Sequence, residues 1–218
     1  MVAREQFQLD LKSIKDEIIQ LAMLTEDALI KAVDALYNQD ITLANQIIAN
    51  DKLVDKRELD INNKAVLLIA KQQPVAKDLR RLIIALKITT DLERMGDHAK
   101  NIAEATIELG EHYLLTVHPA VKEMRDIAIE MVRVAINAIK YEDISVARKL
   151  SKMDDSMDEL YETIIREMLE ETATNPEKVQ YVMQMAFSAR YIERFADHIT
   201  NIGESILFLV KGESFDLN

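Results

Sequence analysis

Eight carboxylates in four pairs carry the clearest chemical signal in this chain. The pairs are Asp51 with Asp55, Glu93 with Asp97, Asp154 with Asp158, and Glu193 with Asp197. Each is spaced i,i+4, which sets both groups on one face of an α-helix. The segment Glu93-Arg94-Met95-Gly96-Asp97-His98 returns one hundred positions later as Glu193-Arg194-Phe195-Ala196-Asp197-His198. The match runs on through Asn101, Ile102 and Glu104 against Asn201, Ile202 and Glu204. Self-similarity at a long fixed period means one structural unit built twice. A duplicated core needs only its apolar pattern, so polar groups kept in both copies point to a task of their own.

Helical geometry tests whether these groups can act together. With Glu93 at zero, ~100° per residue puts Asp97 near ~40°, Asn101 near ~80° and Glu104 near ~20°. The same face carries Leu82, Leu86, Thr90 and Ile107, so the acids interrupt an apolar stripe. Asp51, Asp55, Glu58 and Asn62 likewise share a stripe with Ala44, Ile47, Ala65 and Ile69. Asp154 and Asp158 share theirs with Ala147, Leu150, Tyr161 and Met168. A hairpin turning between Gln73 and Pro74 brings Asp51 and Asp55 level with Glu93 and Asp97. A second turn near Asn175 brings Asp154 and Asp158 level with Glu193 and Asp197.

Four ionised carboxylates on a partly apolar face repel one another and lose hydration. They must take up protons or bind cations. An all-oxygen donor set suits Mg²⁺, Ca²⁺, Mn²⁺ or iron. The plainer reading makes them surface acids whose spacing is accidental; four pairs matched in height and doubled across the chain weigh against it. His98 and His198 fall about 100° around from their neighbouring Asp, which suits a supporting or surface position better than direct ligation. Arg94 and Arg194 can reach Asp97 and Asp197 at i,i+3 and offset part of the charge. Small Gly96 and Ala196 let an ion or a helix come close, although packing explains them nearly as well.

The elements that position these groups are helices. Among 218 residues there are four Gly, three Pro and no Trp, and good helix formers dominate. The expected fold is all-α: two antiparallel three-helix bundles, residues 1–110 and 111–218, related by an internal two-fold-like repeat. Helix 1 should span about 5–37, with Asp40 capping a second helix that runs through Ala70. Pro74 fits the first turn of a third helix ending near Leu109, with Gly110 as its stop. In the second half the helices should cover about 119–140, a stretch capped by Asp143 and running to Thr172, and a last one opened by Pro176 and reaching Lys211. Segment 111–118 links the halves.

The formal charge of −11 argues against duplex nucleic acid and against general attraction to an anionic membrane. Lys77, Arg80, Arg81 and Lys87 gather locally, either as a solvated face or as a docking patch. With no cysteine, thiolate zinc sites and disulfides are excluded, and the cytosol is a compatible setting. The first residues lack the apolar core of a signal peptide, and no apolar run approaches the ~20 residues of a membrane span.

The doubled Glu-Arg-x-x-Asp motif and its Asp-x-x-x-Asp partner occur with Lys71-Gln72-Gln73-Pro74-Val75-Ala76-Lys77-Asp78-Leu79-Arg80 and the closing Phe208-Leu209-Val210-Lys211-Gly212. Together they resemble the PhoU family of phosphate-uptake regulators over essentially the whole chain. The resemblance implies acidic motifs that bind metal ions, as multinuclear iron clusters or as other divalent ions such as Mg²⁺, Mn²⁺ or Zn²⁺. Carried over, the ligands are Asp51, Asp55, Glu93 and Asp97, then Asp154, Asp158, Glu193 and Asp197. Glu58, Asn101, Asn201, Arg94, Arg194, His98 and His198 stand beside them as additional ligands or supports, with no family role transferred to the histidines. The implied partners are the ATPase subunit of the phosphate ABC transporter and a sensor histidine kinase, with homodimerisation. The implied place is the cytoplasm, peripheral to the membrane through partners, and the implied task is to restrain phosphate uptake and starvation signalling.

Two rival readings remain open on the residues. A carboxylate-bridged di-metal enzyme would carry Glu-x-x-His pairs, and none of the four His has Glu three positions earlier. No Walker A, nucleophile elbow or dinucleotide loop is present either. A metal-free helical adaptor would use the same acids as a docking face for a basic partner.

Overall fold

Helix caps and chain breaks divide the sequence into six long helices. The computed structural model describes residues 2–110, 116–213 and 217. Its helices are α1 (Val2–Asn38), α2 (Ile41–Gln72), α3 (Ala76–Leu109), α4 (Pro119–Tyr141), α5 (Ala147–Thr174) and α6 (Val179–Lys211). There is no strand among the described residues. Asp40 caps α2 by accepting from the Leu43 amide at 2.8 Å. Gly110 and Gly212 end α3 and α6 at φ 79° and 82°, a backbone region that favours glycine.

Three start signals act differently from expectation. Pro74 lies in the link before α3 instead of its first turn. Gln73 and Ala76 on either side hold positive φ, 44° and 50°, so the chain leaves helical geometry at Gln73 and α3 opens only at Ala76. Asp143 accepts from the Ser145 amide at 2.9 Å and so caps a short 3₁₀ turn, Ile144–Val146, one step ahead of α5. Pro176 likewise opens a 3₁₀ turn, Pro176–Lys178, and α6 begins after it. Most of the linker expected at 111–118, His112 included, lies outside the described residues. His118 is inside them: it caps α4 through Nδ1, which accepts from Ala120, while Nε2 meets Glu167 at 2.8 Å.

α1, α2 and α3 pack together, as do α4, α5 and α6, and α3 packs on α6 across the halves. One hydrophobic core runs through both halves. Leu82, Leu92, Met95 and Ile102 on α3 and Phe195 on α6 are fully buried, each stabilising by about 1.5–3 kcal/mol. Phe195→Ala would open a cavity here at a cost of about 3–5 kcal/mol.

The α3–α6 crossing is antiparallel, since Arg80 near the start of α3 reaches the end of α6. Its guanidinium donates to the Leu209 carbonyl at 3.3 Å and lies 5.5 Å from the centre of the Phe208 ring. A Cβ built on Gly212 would stand 3.0 Å from Arg80 Nη1. The two terminal motifs of the sequence therefore meet in space, and the cation sits at the negative end of the α6 dipole. Lys77 and Arg81 both pair with Glu142 at the end of α4, at 2.8 Å each. Three of the four gathered basic residues thus tie the halves together, a use that neither a solvated face nor a docking patch had anticipated.

Candidate metal centre

Both acidic sets form where a hairpin brings two helices level. In the first half, burial raises the Glu93 carboxyl above its ordinary pKa, and Asp97, Asp55 and Glu58 push it the same way against Arg94. In the second, burial raises Glu193, helped by Asp197 and Asp158 and opposed by Arg190 and Arg194. Burial also raises Asp158, with Asp197, Glu162 and Asp155 adding to it. These couplings place α2 acids beside α3 acids, and α5 acids beside α6 acids. Among the described residues, however, no three His, Asp or Glu side chains converge closely enough to hold a metal ion. The carboxylates share a face and a depth without forming a closed coordination shell.

The arginines take up their i,i+3 positions. Arg94 donates to Asp97 at 3.2 Å and Arg194 to Asp197 at 3.1 Å. Glu58 accepts from Asn62, whose own carbonyl takes the Thr89 hydroxyl at 2.7 Å, so this acid is engaged in a polar link between α2 and α3. Asn101 is half-buried.

The buried inner carboxylates, Asp51 and Asp154, are each 7% exposed but have different partners. Lys100 donates to Asp51 Oδ2 at 3.0 Å. That hydrogen bond raises the lysine pKa, and Asp51, Asp97 and Glu104 also favour its charged form against desolvation. One ammonium therefore lies within the field of three acids. At the equivalent place Thr200 offers only a hydroxyl, 3.2 Å from Asp154. Burial lifts the Asp154 carboxyl to about 6; the Thr200 hydrogen bond opposes this, and Asp197, Asp158 and Asp155 add to it.

His98 and His198 are both half-buried. His98 and His198 stack across the α3–α6 crossing with centroids 5.5 Å apart, and His98 also stacks on Tyr191 at 6.1 Å. His198 Nδ1 lies 3.0 Å from Asp91 Oδ1, which Asn201 also approaches at 3.5 Å. Burial drives the His98 pKa down to about 4, and His198, Arg194 and Arg94 push the same way. Lys100, Thr200, Asp91 and Tyr191 were missed by the motif reading because they differ between the copies. That difference was the available signal, since Lys100 aligns with Thr200 and Asp91 with Tyr191.

The donor chemistry fits a hard or borderline cation. Glu193, 9% exposed, leaves Oε2 with no hydrogen-bond partner. Its nearest cation on that side is Arg194 Nε at 3.8 Å. A buried carboxylate oxygen without a donor is costly, and a bound cation would remove that cost.

Comparison with known proteins follows the same doubling. The PhoU domain family matches twice, at residues 18–106 and 121–206. The phosphate-specific transport system accessory protein PhoU homolog of Clostridium acetobutylicum is 36% identical, with 100% of each chain covered. The PhoU accessory protein of Escherichia coli is 32% identical over 96% of this chain and 87% of its own. The crystal structure of the phosphate transport system regulatory protein PhoU from Streptococcus pneumoniae superimposes with a TM-score of 0.90 at 28% identity, covering 96% of this chain and 99% of that one.

Proposed function

The chain belongs to the PhoU family, and on that premise we propose that it regulates inorganic phosphate uptake and phosphate-starvation signalling by contact, with no chemistry of its own. The ATPase subunit of a phosphate ABC transporter and a sensor histidine kinase are the proposed targets, and the chain works as a homodimer beside the membrane. No described helix is long and apolar enough to cross a membrane, which suits a partner that comes to the transporter from outside the bilayer. Metal ions are the proposed cofactors. Asp51, Asp55, Glu93 and Asp97 would hold them in one half, and Asp154, Asp158, Glu193 and Asp197 in the other. A bound divalent ion would supply positive charge that joins α2 to α3 and α5 to α6.

The observation that carries this reading is the levelled carboxylates themselves, whose burial and mutual repulsion raise Glu93, Asp158 and Glu193 in concert. A metal-free adaptor has no use for that cost. Protein purified without chelator should contain metal, and EDTA should lower its melting temperature at pH 7. A ligand that binds only the native state stabilises by ~3 kcal/mol at a hundred times its dissociation constant. Absence of both metal and shift would favour the adaptor. For the regulatory role, deletion of the gene under high phosphate should release uptake and phosphatase expression; continued repression at the parental level would refute it.

A further inference from the structure

A cavity of about 200 Å³ opens where the two halves meet, between α1, α3, α4 and α6. Its floor is apolar: Ile14 and Ile18 of α1, Ile88 of α3, Ile139 of α4 and Leu209 of α6. Each of these is buried, so the hollow is cut into the core rather than laid on the surface. Its rim is cationic. Lys12, Lys15 and Arg81 line it with a single carboxylate, Glu142, in a chain whose formal charge is −11. Glu142 is already held by Lys77 and Arg81. Lys15 donates to the Lys140 carbonyl at 3.1 Å, and among the described residues neither it nor Lys12 pairs with an acid. The matching end of the second half is closed. Tyr181, one hundred positions beyond Arg81, is buried and donates to the Thr116 carbonyl at 2.6 Å, and Val117 is buried beside it. The link between the halves lies over that end, whereas at Arg81 the cavity keeps its mouth.

We infer that this cavity binds a free medium-chain fatty carboxylate, its tail on the isoleucine floor and its head on Lys12 and Lys15. None of the acidic-motif residues lines it, so the site stands apart from the metal reading. Apolar pockets with a few convergent polar groups, at a junction between packed units, are where small ligands bind. Each methylene moved from water onto such a floor contributes about 0.8 kcal/mol. That term is open to any single-chain amphiphile, so the rim sets the choice. Two ammonium groups without acids favour an anionic head and repel a cationic one. A bilayer lipid brings two longer chains to a hollow of about 200 Å³, which restricts the site to a single free chain. Bound there, the ligand touches helices of both halves and holds their junction together.

The test uses the full chain and decanoate, kept below micelle formation, at about 0.15 M salt, where weak surface attraction is screened. Calorimetry counts the sites, and NMR shifts of the amides locate them. One decanoate per chain should bind, with shifts centred on 11–18, 82–88, 139–142 and 206–209, and the melting temperature should rise. Octanoate, shorter by two methylenes, should bind about fifteenfold more weakly. Decyltrimethylammonium, the same tail under the opposite charge, should not saturate. Lys12→Gln combined with Lys15→Gln should weaken decanoate about tenfold or more, as loss of charge-assisted hydrogen bonds requires. Ala85→Phe puts a ring into the cavity and should abolish binding. Should that variant fail to fold, the lysine variant and the tail-length comparison decide the question. Equal affinity for decanoate and decyltrimethylammonium, unchanged affinity in the lysine variant, or shifts spread over the surface would overturn the inference. Absence of saturable decanoate binding would overturn it too; sedimentation with phosphatidylglycerol vesicles in that case would make the rim a membrane contact instead.

Discussion

The two halves keep the same carboxylates at the same level yet neutralise them differently. Asp51 on α2 has a salt bridge to Lys100, whereas Asp154 on α5 has a hydrogen bond to Thr200. Glu193 is more deeply enclosed than Glu93, with side-chain exposures of 11% and 25%. Duplication kept the repelling carboxylates and the Arg94–Asp97 and Arg194–Asp197 pairs, while the other compensating cations differ, Lys100 in one half and Arg190 in the other. A repeated motif shows where charge accumulates; the positions that fail to repeat show how each copy resolves it.

The largest effect that could break this comparison is at Lys100. Lys100→Met leaves a nearly buried carboxylate without its cation. It should cost about 3 kcal/mol, the lower end for breaking a buried pair, because the lysine itself is partly exposed. Asp51→Asn added to that variant should recover much of the loss. In the second half, Thr200→Val removes a neutral donor and should cost only about 1 kcal/mol. Urea midpoints with unchanged m-values would check both. Equal costs for Lys100→Met and Thr200→Val would mean that the copies are balanced alike.

Acid titration in the presence of chelator should separate the halves by sign. Asp154 is raised from 3.8 to about 6 in the fold, so the native state binds the proton more readily. Its contribution is fully present below pH ~4 and is lost as pH rises through ~6. His98 is lowered from 6.5 to about 4, so the unfolded state takes its proton first. That contribution is present above pH ~6.5 and is lost as pH falls through ~4. Each is on the order of 3 kcal/mol, and over pH 4–6 they oppose. The wild-type melting temperature should therefore vary little there. Asp154→Asn should make the protein more acid-labile, and His98→Gln should make it gain stability on acidification. Parallel profiles for wild type and Asp154→Asn would remove Asp154 as the titrating group.

The smallest expected effects come from the two helical glycines, each standing where the other half has alanine. A Cβ on Gly96 would lie 3.0 Å from Val54 Cγ1 and 3.5 Å from Asp51 Oδ1; on Gly203 it would lie 2.7 Å from Leu150 Cδ1. Alanine gains about 0.5–1 kcal/mol of helix preference at either place. At Gly96 that gain should nearly cancel the shift asked of Val54, leaving a net change under about 1 kcal/mol. Gly203→Ala should be the worse of the two, because Leu150 is fully buried and has less room to yield. Calorimetric melting of the two variants side by side would settle the order.

Periodicity and punctuation made most of the helical frame legible before any coordinates. The Asp40 cap, the Gly110 stop and the Pro119 start all act as their residue types require. Pro74 and Pro176 misled by a few residues because a proline marks a break without stating how many residues the break needs. The link around Pro74 uses two positive-φ residues, and the one at Pro176 uses a 3₁₀ turn. The acids of each half were legible as a shared stripe, since a shared face follows from spacing along one helix. The partners of Asp51, Asp154 and Glu193 were not, because a helical wheel says nothing about which neighbour supplies a cation.

By itself, the sequence determined the helices, their apolar faces, the duplication and the doubled carboxylates, all of which follow from residue type and local spacing. Tertiary structure alone decided the rest. The antiparallel crossing of α3 on α6 stacked His98 on His198, set Asp91 beside His198, and carried Arg80 to the end of α6. Helix-on-helix packing joined Lys100 to Asp51 and left Glu193 Oε2 without a donor. These contacts join residues roughly 50 to 130 positions apart, and their energies depend on distance and burial, which no local pattern encodes.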